Sequence, residues 1–151
     1  MIMNIHEMYM KIALTEAQKA SDADEVPVGA VIVHNNEIIG KAHNQIITLK
    51  DPTAHAEMIA ITQAASHMQN ERLNGCDLYV TIEPCSMCVG AAVLARVRQI
   101  IYGATEPKTG ACGSAIDLTA KGLHNHKIEV VPGVLEPECR TIIQDFFLDK
   151  R

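Results

Sequence analysis

Two short pieces of this chain, His55-Ala56-Glu57 and Pro84-Cys85-Ser86-Met87-Cys88, are far apart in sequence but chemically complementary, and bringing them together restricts the folds open to it. They supply one imidazole, two thiols spaced C-x-x-C and one carboxylate. Zinc takes neutral imidazole and thiolate, and a catalytic site keeps to three protein ligands so that a fourth tetrahedral position stays open. His55, Cys85 and Cys88 are the expected ligands. With Pro84 at the start of a helix, Cys85 and Cys88 stand at i and i+3 on its first turn and converge on one face, where the helix start favours thiolate. Glu57 follows His55 by two positions, about 200° around a helix, which disfavours a joint grip on one ion. Its carboxylate is expected beside the reacting water, as the catalytic group that moves protons.

Each piece alone is weak. H-x-E occurs by chance, and C-x-x-C also marks structural zinc half-sites and redox dithiols. A structural zinc wants a fourth ligand, for which Cys76, Cys112, Cys139 or another histidine is available, but none stands in a second C-x-x-C or H-x-x-x-H pair. A redox dithiol has no need of H-x-E. The two pieces in this order, H-x-E and then P-C-x-x-C, are the signature of zinc-dependent nucleobase deaminases.

Longer stretches carry a resemblance. Asp51-Pro52-Thr53-Ala54-His55-Ala56-Glu57, Leu78-Tyr79-Val80-Thr81-Ile82-Glu83 running into Pro84, Lys108-Thr109-Gly110-Ala111 and Asp145-Phe146-Phe147 resemble the bacterial tRNA-specific adenosine deaminases. The resemblance spans almost the whole chain. It implies a cytidine deaminase-like α/β fold, a three-layer α/β/α sandwich with a central mixed five-stranded sheet. It also implies a homodimer with one Zn2+ per subunit that converts the wobble adenosine of a tRNA anticodon stem-loop to inosine.

By the same resemblance, Asn44 contacts the flipped base, Val28 lines the pocket, and Ala56 and Pro84, inside the motifs, also bind substrate. Lys108 belongs to a D-x-K-x-G loop beside the substrate strand, in which Glu106 stands where the family has Asp. Phe146 and Phe147 are implied to lie against the anticodon stem, with only a short tail, Leu148 to Arg151, behind them. The nearest alternative is a free-base or nucleoside deaminase, for guanine or cytosine, with the same zinc chemistry.

A chain of 151 residues is expected to form one domain over 1–151. Nothing approaches the ~18 uninterrupted apolar residues of a membrane span, and the N-terminus lacks a basic region followed by an apolar run. An odd count of five Cys, two claimed by the metal motif, speaks for a reducing compartment, so a cytoplasmic location without membrane contact is expected. The net charge of −5 opposes a general nucleic-acid binder, although a local patch can serve a compact stem-loop. Candidate phosphate donors are Arg72, Arg96, Arg98, Lys108, Lys150 and Arg151.

Along the chain, Asn4 and Glu7 frame a helix start, and the apolar spacing that follows predicts a helix over about 5–20. Ser21 to Glu25 reads as an acidic loop, and Val28–Val33 and Ile38–Gly40 as a hairpin leading to Asn44. Gly29 within a strand predicts close approach by another backbone or a ligand. A second helix is expected from Asp51 or Thr53, with body Ala54–Ala65, placing His55 and Glu57 on its first turn. Strands follow at Leu78–Ile82, Gln99–Gly103 and Lys127–Val131, and Ala104–Ser114 reads as a flexible loop. Strands separated by helices imply parallel crossovers, with the site at strand ends and helix starts. A last helix opens at Glu136-Pro137 and carries a core stripe of Cys139, Ile142, Ile143, Phe146 and Phe147.

Overall fold

The computed structural model describes residues 3–120 and 122–150; Arg151, one of the candidate phosphate donors, lies outside the described residues. The elements are α1 (Ile5–Asp22), β1 (Gly29–His34), β2 (Glu37–His43), α2 (Ile46–Leu49), α3 (Ala56–Met68), β3 (Cys76–Ile82), α4 (Ser86–Ala95), β4 (Gln99–Ala104), β5 (Glu129–Val131) and α5 (Glu136–Asp149). The strands form one mixed sheet in the order β2-β1-β3-β4-β5. β1 runs antiparallel to both neighbours, whereas β3, β4 and β5 are parallel. The expected parallel relations therefore hold on one side of the sheet, and the hairpin inserts β1 between β2 and β3.

Alternation along the strands sends side chains to two helical layers. Ala30, Ile32, Leu78, Val80 and Ile100 bury against α3 and α4, through Ala56, Ala60 and Ala64 on one helix and Val89 and Ala92 on the other. Val31, Val33, Tyr79 and Ile101 face the opposite way, onto Tyr9, Met10 and Ala13 of α1 and Cys139 of α5. This is the expected three-layer sandwich. The close approach predicted at Gly29 is made by α1: a Cβ there would stand 2.6 Å from the Ala17 nitrogen and nearer still to the Ala13 carbonyl oxygen.

Local signals set several boundaries. α1 begins with the anticipated capping box, in which Asn4 accepts from the Glu7 N–H and Glu7 answers the Asn4 N–H. The hairpin turns on Asn35 and Asn36, both at positive φ (49° and 63°), a conformation asparagine tolerates. Three expectations need correction. Ser21 and Asp22 belong to α1, so the loop begins at Ala23, and Glu25 within it is buried: its carboxylate accepts the Ile47 and Thr48 N–H groups at 3.1 and 2.7 Å, capping the unanticipated helix α2. Neither Asp51 nor Thr53 caps α3, because Asp51 accepts the Thr53 N–H and Oγ1–H within the preceding turn. The α5 stripe is only partly core: Cys139 and Phe146 are buried, but Phe147 is 48% exposed.

Candidate active site

α3 and α4 both start at one end of the sheet, beyond the carboxyl end of β3. His55 is not on the first turn of α3; it is the N-cap, with extended backbone angles (φ −71°, ψ 150°), and Glu57 follows inside the helix. Likewise Cys85 is the N-cap of α4 (φ −76°, ψ 175°), Pro84 precedes it, and Cys88 lies in the first turn. The angular relation expected for two residues of one helix therefore does not apply to His55 and Glu57. An N-cap side chain leaves the helix axis at its own angle, and both caps point into the same space.

His55 Nδ1 lies 3.7 Å from Cys85 Sγ and 3.6 Å from Cys88 Sγ. Ligand atoms at ~2.0 Å (nitrogen) and ~2.3 Å (sulfur) from one tetrahedral centre stand about 3.5 Å apart, so these separations fit a shared ion. All three ligand atoms lie within 4.8 Å of one another, and among the described residues no fourth His, Cys, Asp or Glu joins them. Cys76, Cys112 and Cys139, available in the sequence to complete a structural site, stand outside the group. The donors thus suit zinc with an open position.

The electrostatics support that set. Hydrogen bonds from Cys88 and His55, together with the charge of His55, pull the Cys85 thiol down to about 3, and the same bond to Cys85 raises the His55 imidazole. Cys88, sharing its proton with Cys85 and buried, is pushed up. A cation held among these three groups would favour the ionised form of both thiols. Glu57 is 3% exposed, and burial raises its carboxyl above the usual range. Its Oε1 is the one buried side-chain oxygen or nitrogen among the described residues without a hydrogen-bond partner. A solitary buried acceptor of this kind is costly to the fold and points to a function.

A cavity of about 170 Å³ opens over these groups, lined by Val28, Asn44, His55, Glu57, Cys85 and Glu106 among those predicted. Its other walls, Val26, Ile46, Ile82, Glu83 and Thr109, were not anticipated. Small-molecule pockets usually measure ~300–1,000 Å³, so this one suits a single flat ring system and not a whole nucleotide. Asn44 directly follows β2, and its Oδ1 accepts the Ala56 N–H at 2.8 Å, which leaves the amide NH2 for a ligand.

The remaining predicted substrate residues are not brought to this cavity. Ala56 is fully buried and takes part through that N–H, and Pro84 is buried with its carbonyl accepting the Ala111 N–H at 2.8 Å. Lys108 is exposed on the loop, its N–H donating to Glu106 Oε1 at 3.0 Å. Phe146 lines a neighbouring cavity of about 490 Å³ with Asp24, Glu25, Ile47 and Lys150, which shares Val26 and Ile46 with the first. Phe147 meets Phe146 edge-on, 5.3 Å between centroids. Of the candidate phosphate donors, Arg98 pairs with Asp77 at 2.5 Å at the start of β3, away from the site, and Lys150 pairs with Asp24 at 2.6 Å beside the second cavity. Arg72 and Arg96 precede β3 and follow α4, also at the far end of the sheet.

Known proteins are similar to this chain in sequence and fold. Residues 3–151 match the MafB19-like deaminase family. The tRNA-specific adenosine deaminase of Bacillus subtilis (strain 168) is 48% identical over 145 residues, covering 96% of this chain and 90% of that protein. A structure from a study of A-to-I editing by tRNA:A34 deaminases at the wobble position of transfer RNA matches with a TM-score of 0.86 at 42% identity, over 89% of this chain and 98% of that one. A guanine deaminase structure from Bacillus subtilis matches less of the chain, 68% of this and 66% of that, with a TM-score of 0.64 at 42% identity. With its fold, its His-Cys-Cys donor set and relatives this similar along nearly their full length, the chain belongs to the tRNA-specific adenosine deaminases of the MafB19-like deaminase family.

Proposed function

We propose that this protein deaminates adenosine to inosine at the wobble position of a tRNA anticodon, with zinc held by His55, Cys85 and Cys88. The observation that carries the chemistry is the unpartnered Glu57 Oε1 beside that donor set, in a cavity the size of one base. Zinc, when bound, supplies an open position at which water ionises near neutral pH. Glu57 takes a proton as water adds to C6 of the ring and hands it to N1; it then takes the proton of the new C6 hydroxyl and delivers it to the amino group, which leaves as ammonia while the C6 carbonyl forms. Burial, which lifts its carboxyl toward neutrality, suits it to both giving and taking. Asn44, fixed through its oxygen, presents its NH2 to the ring edge, and Val28 flanks the ring face.

The wider cavity beyond Val26 and Ile46 supports a polynucleotide substrate, because a base in the first cavity leaves its neighbours room in the second. There Phe146 and Lys150 offer an aromatic face and a cation, and the exposed Lys108 stands on the loop beside Glu106. A loop nucleotide is also cheaper to unstack than a paired one. Residues 1–151 are read as one such domain, supported by a single sheet and a family match from 3 to 151. Leu94, 81% exposed on α4, is free to take part in a contact between subunits, and a homodimer is part of the proposal. So is a cytoplasmic location, where tRNA is found; no described helix is long and apolar enough to cross a membrane.

The alternative reaction, guanine or another free base, is favoured by the guanine deaminase likeness. One experiment separates the two. Zinc-loaded protein is given an anticodon stem-loop with adenosine at the wobble position, beside adenosine, guanine and cytosine, and inosine, xanthine and uracil products are measured. Inosine in the stem-loop alone is expected; turnover of a free base alone overturns the substrate assignment.

A further inference from the structure

Glu83 is a buried acid at the site to which the mechanism assigns nothing. It follows β3, two residues before Cys85, and is 2% exposed. Four hydrogen bonds reach its carboxylate, all from the segment that follows β4: Oε1 accepts the Glu106 N–H at 3.0 Å and the Ser114 Oγ–H at 2.5 Å, and Oε2 accepts the Cys112 N–H at 2.9 Å and the Ser114 N–H at 3.1 Å. Gly110 rests over the carboxylate so closely that a Cβ would overlap it and stand 2.5 Å from the Glu106 carbonyl oxygen. The same segment is fastened again by the Ala111 N–H to the Pro84 carbonyl at 2.8 Å, and Glu83 itself donates to the Ala104 carbonyl at 2.8 Å.

The sequence predicts a flexible loop here, and composition alone would leave it one: Pro107, Gly110 and Gly113 break any regular element. What orders it is an anion buried among its amides, an arrangement like the nests that bind phosphate, with the anion supplied by the protein. The ordered segment carries Glu106 and Thr109, which form the cavity wall alongside Val28, Asn44 and Glu57. A wall already fixed spares the incoming substrate the conformational entropy of fixing it, and that saving appears in binding and not in the later chemistry.

We infer that Glu83 is a positioning residue whose carboxylate holds residues 106–114 as a preformed wall of the substrate cavity, and so sets affinity for the substrate. The inference deepens the proposed function and takes its substrate from it. A merely structural role would lower stability alone, and a role in supporting Cys85 would lower zinc content.

The test compares wild type with Glu83→Gln, Ser114→Ala and Gly110→Ala, all zinc-loaded. Glu83→Gln removes the charge and turns an NH2 toward amide donors; Ser114→Ala deletes one bond; Gly110→Ala displaces the loop from above with the carboxylate intact. Amide hydrogen exchange at Glu106, Cys112 and Ser114, measured without substrate, is expected to accelerate in Glu83→Gln and Gly110→Ala. KM for the stem-loop is expected to rise about tenfold or more in both, with kcat within about threefold and zinc still stoichiometric. Ser114→Ala shifts both readouts less, in the same direction. The double variant Glu83→Gln/Gly110→Ala is expected to be no worse than the poorer single one, because both break one contact.

Unchanged amide exchange, a fall in kcat at constant KM, or loss of zinc from Glu83→Gln each overturn the inference. If Glu83→Gln does not fold, Gly110→Ala decides between the same outcomes. If wild type turns over a free base and not the stem-loop, the substrate assignment falls by itself, and exchange together with KM for that base decides the role of Glu83.

Discussion

Asn44 Oδ1 accepts the Ala56 N–H at 2.8 Å, so the residue that follows β2 caps the helix whose N-cap position is occupied by His55. An imidazole that turns inward to serve as a ligand cannot cap its own helix, and His55 makes no side-chain cap bond. Asn44 supplies that acceptor from another strand while its NH2 remains for substrate. Asn44→Ala is expected to lose about 1 kcal/mol of stability and most activity. Asn44→Asp keeps the acceptor and loses the NH2, so its urea midpoint should stay near wild type while KM rises. Equal destabilisation of the two variants would refute the division of tasks.

Glu57→Ala removes the proton carrier and leaves the donors of the ion untouched. Turnover should fall by at least ~10²-fold. Metal analysis should still find one zinc per chain. Residual turnover near the wild-type rate would remove Glu57 from the mechanism.

Cys85→Ser and Cys88→Ser break the donor set itself, and each should lose zinc on dialysis together with activity. A chelator should do the same to wild type, reversibly on adding zinc. Retention of tight zinc by either variant would show that the ion sits elsewhere.

Two glycines should respond to alanine with opposite signs. Gly29→Ala pushes a methyl into the α1 backbone at Ala13 and Ala17 and is expected to destabilise by about 3 kcal/mol or more. Gly90 lies in α4 with open space where its Cβ would be, so Gly90→Ala is expected to stabilise by roughly 0.5–1 kcal/mol. Urea unfolding of zinc-loaded protein measures both.

Glu25 gives a pH dependence with a defined sign. Burial alone would raise its carboxyl, but the bonds from Thr48 and Ile47 outweigh that and hold it below its ordinary 4.5. A depressed folded-state value means that its stabilisation is fully present above the ordinary 4.5 and is lost as pH falls from there through the folded value. Glu25→Gln should therefore be less stable than wild type at pH 7, and the gap should close on acidification below about pH 4.5. A gap that stays constant down to acid-induced unfolding would count against an ionised cap on α2.

The chemistry was legible in the sequence because imidazole, thiol and carboxylate at fixed spacings have few alternative uses, and His55, Glu57, Cys85 and Cys88 do meet. The start of α3 was misplaced because its determinant is tertiary, whereas those of α1 and α5 fall where local signals put them. Asp51 looks like a cap by local rules, yet the donor at Ala56 is answered from Asn44, twelve positions earlier along the chain. The walls made by Val26, Ile46 and Thr109 were missed for a related reason: they come together only when the sheet order is known, and apolar periodicity does not reveal that β1 lies between β2 and β3. Glu83 did leave a signal, an acid closing the apolar run Leu78–Ile82 just as the chain turns into the motif. Phe147 fitted a helical stripe and proved exposed, because α5 is covered on one side only.

Three of the four donors to Glu83 are main-chain N–H groups, at Glu106, Cys112 and Ser114, which every residue but proline carries. The route of the loop is therefore encoded largely outside the loop, and mutation within it can change what faces the cavity without redirecting the chain. Drift at positions 106 to 109 becomes a way to explore new substrates at low risk to the fold, and it stops at Gly110, the next position, where a side chain has no room. The occurrence of Glu106 where relatives are expected to carry Asp is the sort of change such an arrangement tolerates.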